Sequence, residues 1–236
     1  KLMIRFIKNE LKRLLNYFGW KLTKNYKKNS YTNQKPNLEL LEALHASKGI
    51  IHMGGHRGEE AAVYDWLHKK TLWFEANPKI FIDLKNHIMT FVNQKAYNIL
   101  LYEFDDKEFS FKISDNDGAS SSIYDFGEES LKDLKMIDSI QLKSKKIDTF
   151  FSQEKFEPEN YDFWVMDIQG AELPVLKGAD ESLKSCKYIY VEVSIGNFYE
   201  EGTQWNELKN FLIKKGFKNL WEPFNNHTDV LFKKEN

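Results

Sequence analysis

The residues of this sequence that could do chemistry include three acidic side chains and one histidine in its second half. Asp167 directly follows the apolar run 163–166, Glu172 stands five residues later, and Glu192 lies in a second apolar run. One carboxylate could take a proton from a hydroxyl. Alternatively, Asp167, Glu172 and Glu192 could hold a divalent cation that lowers the pKa of a bound hydroxyl. His227 is another candidate base. The simpler interpretations are a helix cap for Glu172 and a surface residue for His227.

A second candidate group lies between residues 49 and 77, where an apolar run meets a glycine cluster. Gly54, Gly55 and Gly58 separate this run from a segment with helical apolar spacing. Glu75 ends the next apolar run and stands twenty residues after Gly55. Glycines let a backbone approach a ligand closely, and a carboxylate at this spacing can accept hydrogen bonds from both ribose hydroxyls. The pattern predicts a nucleotide-like ligand, although the glycines alone are also typical of an ordinary tight turn.

Alternating strand and helix patterns position these residues. Two runs, 163–166 and 188–193, have the continuous apolar character of buried parallel strands, and helical spacing lies between them. Three further sets of strands are predicted. They are a third strand at 90–97, a hairpin of 99–104 with 108–113, and a closing pair of 217–221 with 229–232. This order favours an α/β fold, with a mostly parallel open sheet, an antiparallel edge strand and flanking helices.

The charge distribution divides the chain. The 236 residues have a formal net charge of −1, which gives no general attraction to nucleic acid, yet residues 1–35 hold ten Lys or Arg and one acid. Residues 1–36 are predicted to be a basic amphipathic helix and a linker, and residues 37–236 a single catalytic domain. Through residues 1–20 the helix could lie on an anionic membrane or dock on a partner, on its own domain or on a second copy, which would give a homo-oligomer.

Cysteine content and hydropathy bear on the compartment. Cys186 is the one cysteine, so an intrachain disulfide and a cysteine-cluster zinc site are excluded, and a reducing compartment is favoured. The sequence contains no apolar stretch long enough to span a bilayer and no signal-peptide pattern. The expectation is a soluble cytoplasmic protein, with the inner face of the membrane as the alternative site for the basic helix.

Several motifs together resemble the FkbM family of S-adenosylmethionine-dependent methyltransferases. The matching segments run from about residue 49 to the end of the chain, and the most specific of them contains Asp167, Gly170 and Glu172. They are MGGHRGEE (53–60), WFEANP (73–78), LKNHI (84–88), DGASSS (117–122), KIDTFF (146–151), DFWVMDIQGAELPVLKGA (162–179) and YVEV (190–193). The first loop departs from the family, because His52 stands where an acid is common and Gly54-Gly55-His56 where glycine-alanine-asparagine is common.

The resemblance implies a Rossmann-like class I methyltransferase fold with a seven-stranded sheet and S-adenosylmethionine as cofactor. It implies O-methylation of a sugar hydroxyl in a polysaccharide or other glycan, hence a part in polysaccharide biosynthesis. The residues expected to bind the cofactor are Gly54, Gly55, His56, Gly58, Glu75, Ala76, Asn98, Asp117, Ser122 and Asp167. Those expected to be catalytic are Asp167, Glu172 and His227, with Asp167, Glu172 and Glu192 for the divalent cation.

Two alternatives to this function remain open at the level of sequence. An NAD(P)-dependent oxidoreductase shares the pattern of strand, glycines, helix and carboxylate, but its glycines are usually spaced Gly-x-Gly-x-x-Gly. Here the order is Gly-Gly-x-x-Gly, and the chain closes with an antiparallel pair. The second alternative is a non-catalytic binding module that retains the fold and is recruited by its basic helix.

Overall fold

The strand order of the sheet places two turns side by side at its centre. The computed structural model describes residues 38–130, 133–224 and 226–235. Seven strands form the main sheet in the order β3-β2-β1-β7-β8-β10-β9, and β10 runs in the direction opposite to the other six. Their bounds are β1 Gly49–Met53, β2 Lys70–Glu75, β3 Gln94–Asn98, β7 Phe163–Met166, β8 Tyr188–Ser194, β9 Phe217–Asn219 and β10 His227–Lys234. The predicted fold class, a mostly parallel sheet with an antiparallel edge pair, is confirmed.

Short helices connect the strands. Asn77 caps α3 through its side-chain oxygen, which accepts the Lys79 amide at 3.0 Å, and Pro78 occupies the first turn, where its missing N–H costs nothing. The helices are α1 Leu38–Ala46, α2 Ala61–Trp66, α3 Pro78–Ile88, α4 Ile147–Glu154, α5 Glu172–Lys177, α6 Ser182–Ser185 and α7 Trp205–Lys214, with a 3-10 turn at Pro158–Asn160. Gly216 ends α7 as predicted, with a φ of +84°.

The predicted hairpin of 99–104 with 108–113 is wrong. These segments form β4 (Leu100–Leu101) and β5 (Glu108–Ser114), and both pair with β6 (Met136–Lys145) rather than with each other. The turn between them is closed by Ser144 of β6, whose carbonyl accepts the Asp106 amide and whose amide donates to Lys107, both at 2.9 Å. Alternating residues predict a strand but not its partner, and here the partner lies about 30 residues away along the chain.

The third strand begins later than predicted. The sequence suggested 90–97, whereas β3 is Gln94–Asn98, because residues 89–93 form turns in which Phe91 donates to the Ile88 carbonyl at 2.9 Å. One core lies against the face of the sheet covered by α4, α5, α6 and α7, and includes Trp164, Phe150 and Leu212. The continuous burial of Phe163–Met166 confirms that β7 lies at the centre of the sheet, covered on both faces.

Strand order also fixes where a ligand site can lie. From β1 the chain continues to β2 and β3 on one side, whereas β7 and β8 lie on the other side. In open α/β sheets, ligands bind outside the carboxyl ends of the strands at such a reversal. The crevice between the ends of β1 and β7 is therefore the expected position of the site.

Residues 43–236 form one compact unit. The predicted basic helix and linker of residues 1–36 lie outside the described residues, so this division of the chain stays a prediction. Within the described residues, no helix combines the length and the apolar character needed to cross a membrane.

Candidate active site

The turns that follow β1 and β7 meet at the crevice. Gly54 has a φ of +81°, and a Cβ added to it would lie 1.8 Å from the carbonyl oxygen of Asp167. Gly55 and Gly58 face Leu84 on α3 instead, with added Cβ atoms 3.1 and 2.7 Å from its side chain. Packing against backbone therefore already requires Gly54, the positive φ of +75° favours glycine at Gly58, and at Gly55 the neighbouring side chains would have to shift only slightly. Their contact with a ligand stays a prediction.

Glu75 has the geometry expected of a ribose-binding carboxylate. It ends β2 and is 8% exposed, with Oε2 accepting the His56 amide at 2.9 Å and Oε1 accepting the Asn77 amide at 2.7 Å. Burial raises the pKa of Glu75 to about 7, although these two hydrogen bonds oppose the rise. Each carboxylate oxygen can accept a second hydrogen bond, so this group can hold two neighbouring hydroxyls. The chemistry of the side chain fits the ribose of a nucleoside cofactor.

Asn98 supports the end of β2. Its Nδ2 atom donates to the carbonyls of Glu75 at 2.7 Å and of Ala76 at 2.9 Å. The amide group therefore fixes the backbone beside the Glu75 carboxylate, and the structure brings these three predicted cofactor residues together. This arrangement follows from the parallel register of β2 and β3, which places Glu75 opposite Asn98.

Arg57, which the sequence reasoning missed, ties the loop 114–122, here the serine loop, to the glycine turn. Its guanidinium contacts both carboxylate oxygens of Asp117, at 2.7 and 3.1 Å, and Asp83 of α3 at 3.1 Å. His56 points to the same place, with Nε2 3.4 Å from the Asp117 carbonyl and Nδ1 2.9 Å from Glu59. The hydrogen bond with Glu59 raises the pKa of His56. Arg57, His56 and Asp117 therefore form a link, here called the strap, between the glycine turn and the serine loop.

The other end of the serine loop reaches the turn after β7. Ser122 is 1% exposed, and its hydroxyl donates to the Gln169 carbonyl at 2.7 Å. Ser122 was predicted to bind the cofactor, but in the structure its hydroxyl is engaged with this turn. It holds the backbone next to Asp167 in place.

Gln169 occupies the centre of the site, although the sequence motif pointed only to its neighbours. Its φ is +55°, a left-handed conformation that costs a non-glycine residue roughly 1–3 kcal/mol. The amide Nε2 donates to Oδ1 of Asp167 and, at 2.9 Å, to Oε2 of Glu192. The amide oxygen accepts the hydroxyl of Tyr199. Backbone strain at a residue whose side chain makes these three hydrogen bonds is typical of a functional site.

Strand register brings His227 to Glu192. In the antiparallel pair of β8 and β10, His227 lies opposite Ser194 and Asp229 lies opposite Glu192. Side chains two residues apart share a face of the sheet, so all four point into the same space. His227 Nε2 is 2.8 Å from Glu192 Oε1, and Nδ1 is 3.1 Å from the Ser194 hydroxyl. Phe198 stacks on the imidazole, with ring centroids 4.7 Å apart and an interplanar angle of 13°.

Charges in this group are strongly coupled. The hydrogen bond with Glu192 raises the pKa of His227, against the opposing effect of burial. Burial disfavours the ionised form of Glu192 as well, but the hydrogen bond and charge of His227 outweigh it and lower the pKa of Glu192. The Asp167 side chain is exposed to solvent, although protein atoms lie close around its carboxyl group. That partial desolvation and the neighbouring Glu192 raise the pKa of Asp167 well above its usual value.

Glu172 has a structural contact in addition to its position at the site. It is 5% exposed at the start of α5, and Oε1 accepts the Gly170 amide at 3.1 Å. Burial raises the pKa of Glu172 to about 7. Across residues 38–130, 133–224 and 226–235, no group of three or more His, Cys, Asp or Glu side chains is arranged to hold a metal ion. The divalent cation at Asp167, Glu172 and Glu192 stays a prediction.

A polar cleft opens beside the histidine. Its empty space is about 290 Å³ including open solvent, of which about 10 Å³ can hold the centre of a water molecule, so the cleft is shallow. Predicted residues Glu172, Glu192 and His227 line it, and so do residues that the sequence reasoning missed: Gln169, Gly170, Ser194, Gly196, Tyr199, Gly202, Thr203 and Gln204. One signal could have found Ser194, because Tyr190, Glu192 and Ser194 alternate with the apolar residues of β8.

Comparison with protein families gives one match over most of the chain. The family model described as the methyltransferase FkbM domain matches residues 52–218. This range contains the glycine turn, Glu75 and the whole segment from Asp167 to Glu192, but not His227. A comparison with curated proteins found no significant match.

Solved methyltransferase structures resemble the chain at low sequence identity. An rRNA methylase from Streptococcus thermophilus is 9% identical, with a TM-score of 0.47 and coverage of 87% of this chain and 100% of that one. M. capricolum TrmK in complex with S-adenosylhomocysteine is 9% identical, with a TM-score of 0.44 and coverage of 83% and 67%. Synechocystis magnesium protoporphyrin IX methyltransferase with the same ligand is 5% identical, with a TM-score of 0.46 and coverage of 84% and 78%.

Proposed function

The chain belongs to the methyltransferase FkbM domain family, and from this premise we propose that it methylates a hydroxyl oxygen of a sugar acceptor. Family membership confirms the expected methyltransferase, with S-adenosylmethionine as methyl donor, and decides against a nicotinamide-dependent oxidoreductase. The bound cofactor supplies an electrophilic methyl group. The observation that carries the choice of an oxygen acceptor is the pair of His227 and Glu192, 2.8 Å apart, at the wall of a polar cleft.

His227 has the contacts of a general base. In the neutral tautomer whose Nε2–H donates to Glu192, at 2.8 Å, the lone pair of Nδ1 is left for the Ser194 hydroxyl, at 3.1 Å. An acceptor hydroxyl that replaces the Ser194 hydroxyl at Nδ1 would give its proton to the imidazole. Glu192 would then stabilise the imidazolium, as the carboxylate does in other pairs of histidine and acid. The raised pKa of His227 makes it a stronger base for this transfer.

Residues on the cofactor side would hold the ribose and close over it. Glu75 offers one free acceptor position on each carboxylate oxygen, and Asn98 keeps the adjacent backbone in place. The strap, in which Arg57 pairs with Asp117 at 2.7 Å, joins the serine loop to the same turn and would close over the ribose. Asp167 stands between this half of the site and the cleft, since Gln169 joins it to Glu192.

The cleft lining favours an uncharged or amino sugar over an acidic one. Thr203 and Gln204 supply groups that hydrogen-bond hydroxyls, and Glu172 and Glu192 supply carboxylates. Among the described residues that line the cleft, none is Lys or Arg. A uronate or a phosphorylated sugar would bring a negative charge next to Glu172 and Glu192, where the one group that can become cationic, His227, is already paired with Glu192.

Transfer of labelled methyl groups tests this proposal. The protein is incubated with methyl-labelled S-adenosylmethionine and a series of neutral, amino and acidic glycans, and the label in each product is measured. His227→Gln should lower kcat by about 10²-fold or more, the usual contribution of a general base. Its affinity for S-adenosylhomocysteine and its thermal stability should not change. His87→Gln, an exposed histidine on α3, is the matched control.

Two outcomes would contradict the proposal. Unchanged turnover in His227→Gln would remove His227 as the base. No label in any glycan, with S-adenosylhomocysteine bound normally, would remove the sugar acceptor, and a non-catalytic binding module would then be favoured.

A further inference from the structure

We propose that Gln169 is a positioning residue, whose side-chain amide holds Glu192 in the orientation that makes His227 an effective base. This inference rests on the proposed function, because it concerns the same base. Gln169 lies between Asp167 at the end of β7 and Glu192 near the end of β8, and it is 9% exposed.

The orientation of the amide is determined by its partners. The pKa of Glu192 is lowered, so its carboxylate offers only acceptors and the NH₂ group of Gln169 must face it. The same NH₂ group also donates to Oδ1 of Asp167. The amide oxygen then faces Tyr199, whose hydroxyl donates to it and also lies 3.3 Å from the Ser120 carbonyl. A flipped amide would turn its oxygen toward the ionised Glu192 carboxylate and lose that hydrogen bond. The side chain therefore has one satisfied orientation.

The backbone of Gln169 is anchored as firmly as its side chain. The Ser122 hydroxyl donates to its carbonyl at 2.7 Å, and the next carbonyl, of Gly170, accepts both the amide and the hydroxyl of Thr203 at 2.8 Å. Gly170 has a φ of +99°, so two consecutive left-handed residues turn the chain back over the strand ends. This turn aims the amide between the two carboxylates. A residue needed only for packing would not require such a conformation.

The hydrogen bonds form one continuous chain from Asp167 to His227. Gln169 donates to Oε2 of Glu192, while the other oxygen, Oε1, lies 2.8 Å from His227. The register of β7 and β8, with Met166 opposite Val191, brings Asp167 beside Glu192, whose charge raises the pKa of Asp167. With the amide between them, both carboxylates have a donor, and Glu192 can direct its second oxygen at the imidazole. Without it, we expect Glu192 to rotate and His227 to lose its alignment.

A double-mutant cycle distinguishes this role from a merely structural one. Gln169→Met keeps the size of the side chain and removes the amide. In the otherwise unchanged protein it should lower kcat by about 10²-fold, the scale of a misplacement near 1 Å, with affinity for S-adenosylhomocysteine unchanged. In the His227→Gln background the same substitution should change kcat by less than about twofold, because groups acting as a unit are not additive. Gln153→Met, an exposed glutamine on α4, is the control.

Each result decides between distinct failures. Equal losses in the two backgrounds, or no loss in either, would overturn the role of Gln169 and leave His227 as the base. Unchanged turnover in His227→Gln alone would refute the base and, with it, this inference. If Gln169→Met does not fold, Tyr199→Phe removes one anchor of the amide and enters the same cycle. A loss of kcat that disappears in His227→Gln supports the inference, and unchanged kcat overturns it.

Discussion

Gly54→Ala and Gly216→Ala form a matched pair that tests how the two halves of the site are joined. Both glycines have a positive φ, +81° and +84°. A Cβ on Gly54 would lie 1.8 Å from the Asp167 carbonyl oxygen, whereas a Cβ on Gly216 would have no atom within 4 Å. The substitutions therefore share the conformational cost of a left-handed alanine and differ in the steric conflict.

The magnitudes follow from these contacts. The left-handed conformation costs an alanine roughly 1–2 kcal/mol, which is the whole effect expected for Gly216→Ala. A Cβ atom essentially never lies closer than 3.0 Å to another heavy atom, and at Gly54 it would lie 1.8 Å from the Asp167 oxygen. In Gly54→Ala the two turns must therefore separate by at least 1.2 Å, the difference between these distances. This movement strains the hydrogen bonds from Gly54 to Phe74 and from Asp167 to Met53, now 2.9 and 3.0 Å long. With about 1 kcal/mol for each bond and further steric strain, the expected loss is about 4 kcal/mol or more.

Urea unfolding measures both values from the same linear extrapolation. Gly54→Ala should also weaken binding of S-adenosylhomocysteine in calorimetry, because the turn beside Glu75 moves, whereas Gly216→Ala should bind it normally. Equal losses of unfolding free energy in the two variants would refute the reasoning, because the close approach of the β1 and β7 turns would then cost nothing to disturb. Normal binding of S-adenosylhomocysteine by a folded Gly54→Ala protein would show that this turn is not part of the cofactor site.

Three further outcomes are expected from the charged residues of the site. Because ionised Glu75 accepts hydroxyl hydrogen bonds and its pKa is about 7, calorimetry should show about tenfold tighter binding of S-adenosylhomocysteine at pH 8 than at pH 6. Glu172→Gln should raise the unfolding free energy above that of the unchanged protein, and this gain should be larger at pH 8 than at pH 5 by something on the order of 2 kcal/mol. Arg57→Ala should speed dissociation of S-adenosylhomocysteine in stopped-flow experiments, with a stability loss of about 1 kcal/mol or less.

The sign for Glu172 follows from its raised pKa in the folded state. Its contribution to stability is full below its usual value of 4.5 and is lost as the pH rises through about 7, so removing the charge helps only at high pH. A pH-independent effect of Glu172→Gln would contradict this. Glu75→Ala, the control for the pH dependence of binding, should bind S-adenosylhomocysteine weakly at both pH 6 and pH 8. Lys184→Ala, which breaks an exposed ion pair with Glu181 at 2.6 Å, is the control for Arg57→Ala. Equal rates of S-adenosylhomocysteine dissociation in the two variants would show that the strap does not retain the ligand.

The cofactor half of the site could be predicted from the sequence because its parts are close along the chain. The glycine turn, Glu75 and the start of α3 lie within 30 residues, and their spacing follows from one unit of strand, helix and strand. Asp167 could be found in the same way, since it ends a run of buried apolar residues. What the sequence could not show was why Gly54 is needed, because the atom that excludes a Cβ belongs to Asp167, more than 100 residues later.

The acceptor half was decided by the tertiary structure. His227 and Glu192 each stood out as single residues, but their 2.8 Å contact depends on the register between β8 and β10, and a shift of one residue would turn them to opposite faces. Gln169 carried no periodic signal, because its role comes from a left-handed turn and from partners on β8 and in the loop after it. The partner of β5 was missed for the same reason. Sequence patterns report the local period of a strand or helix, whereas contacts between distant segments are set by register and packing, which no local pattern contains.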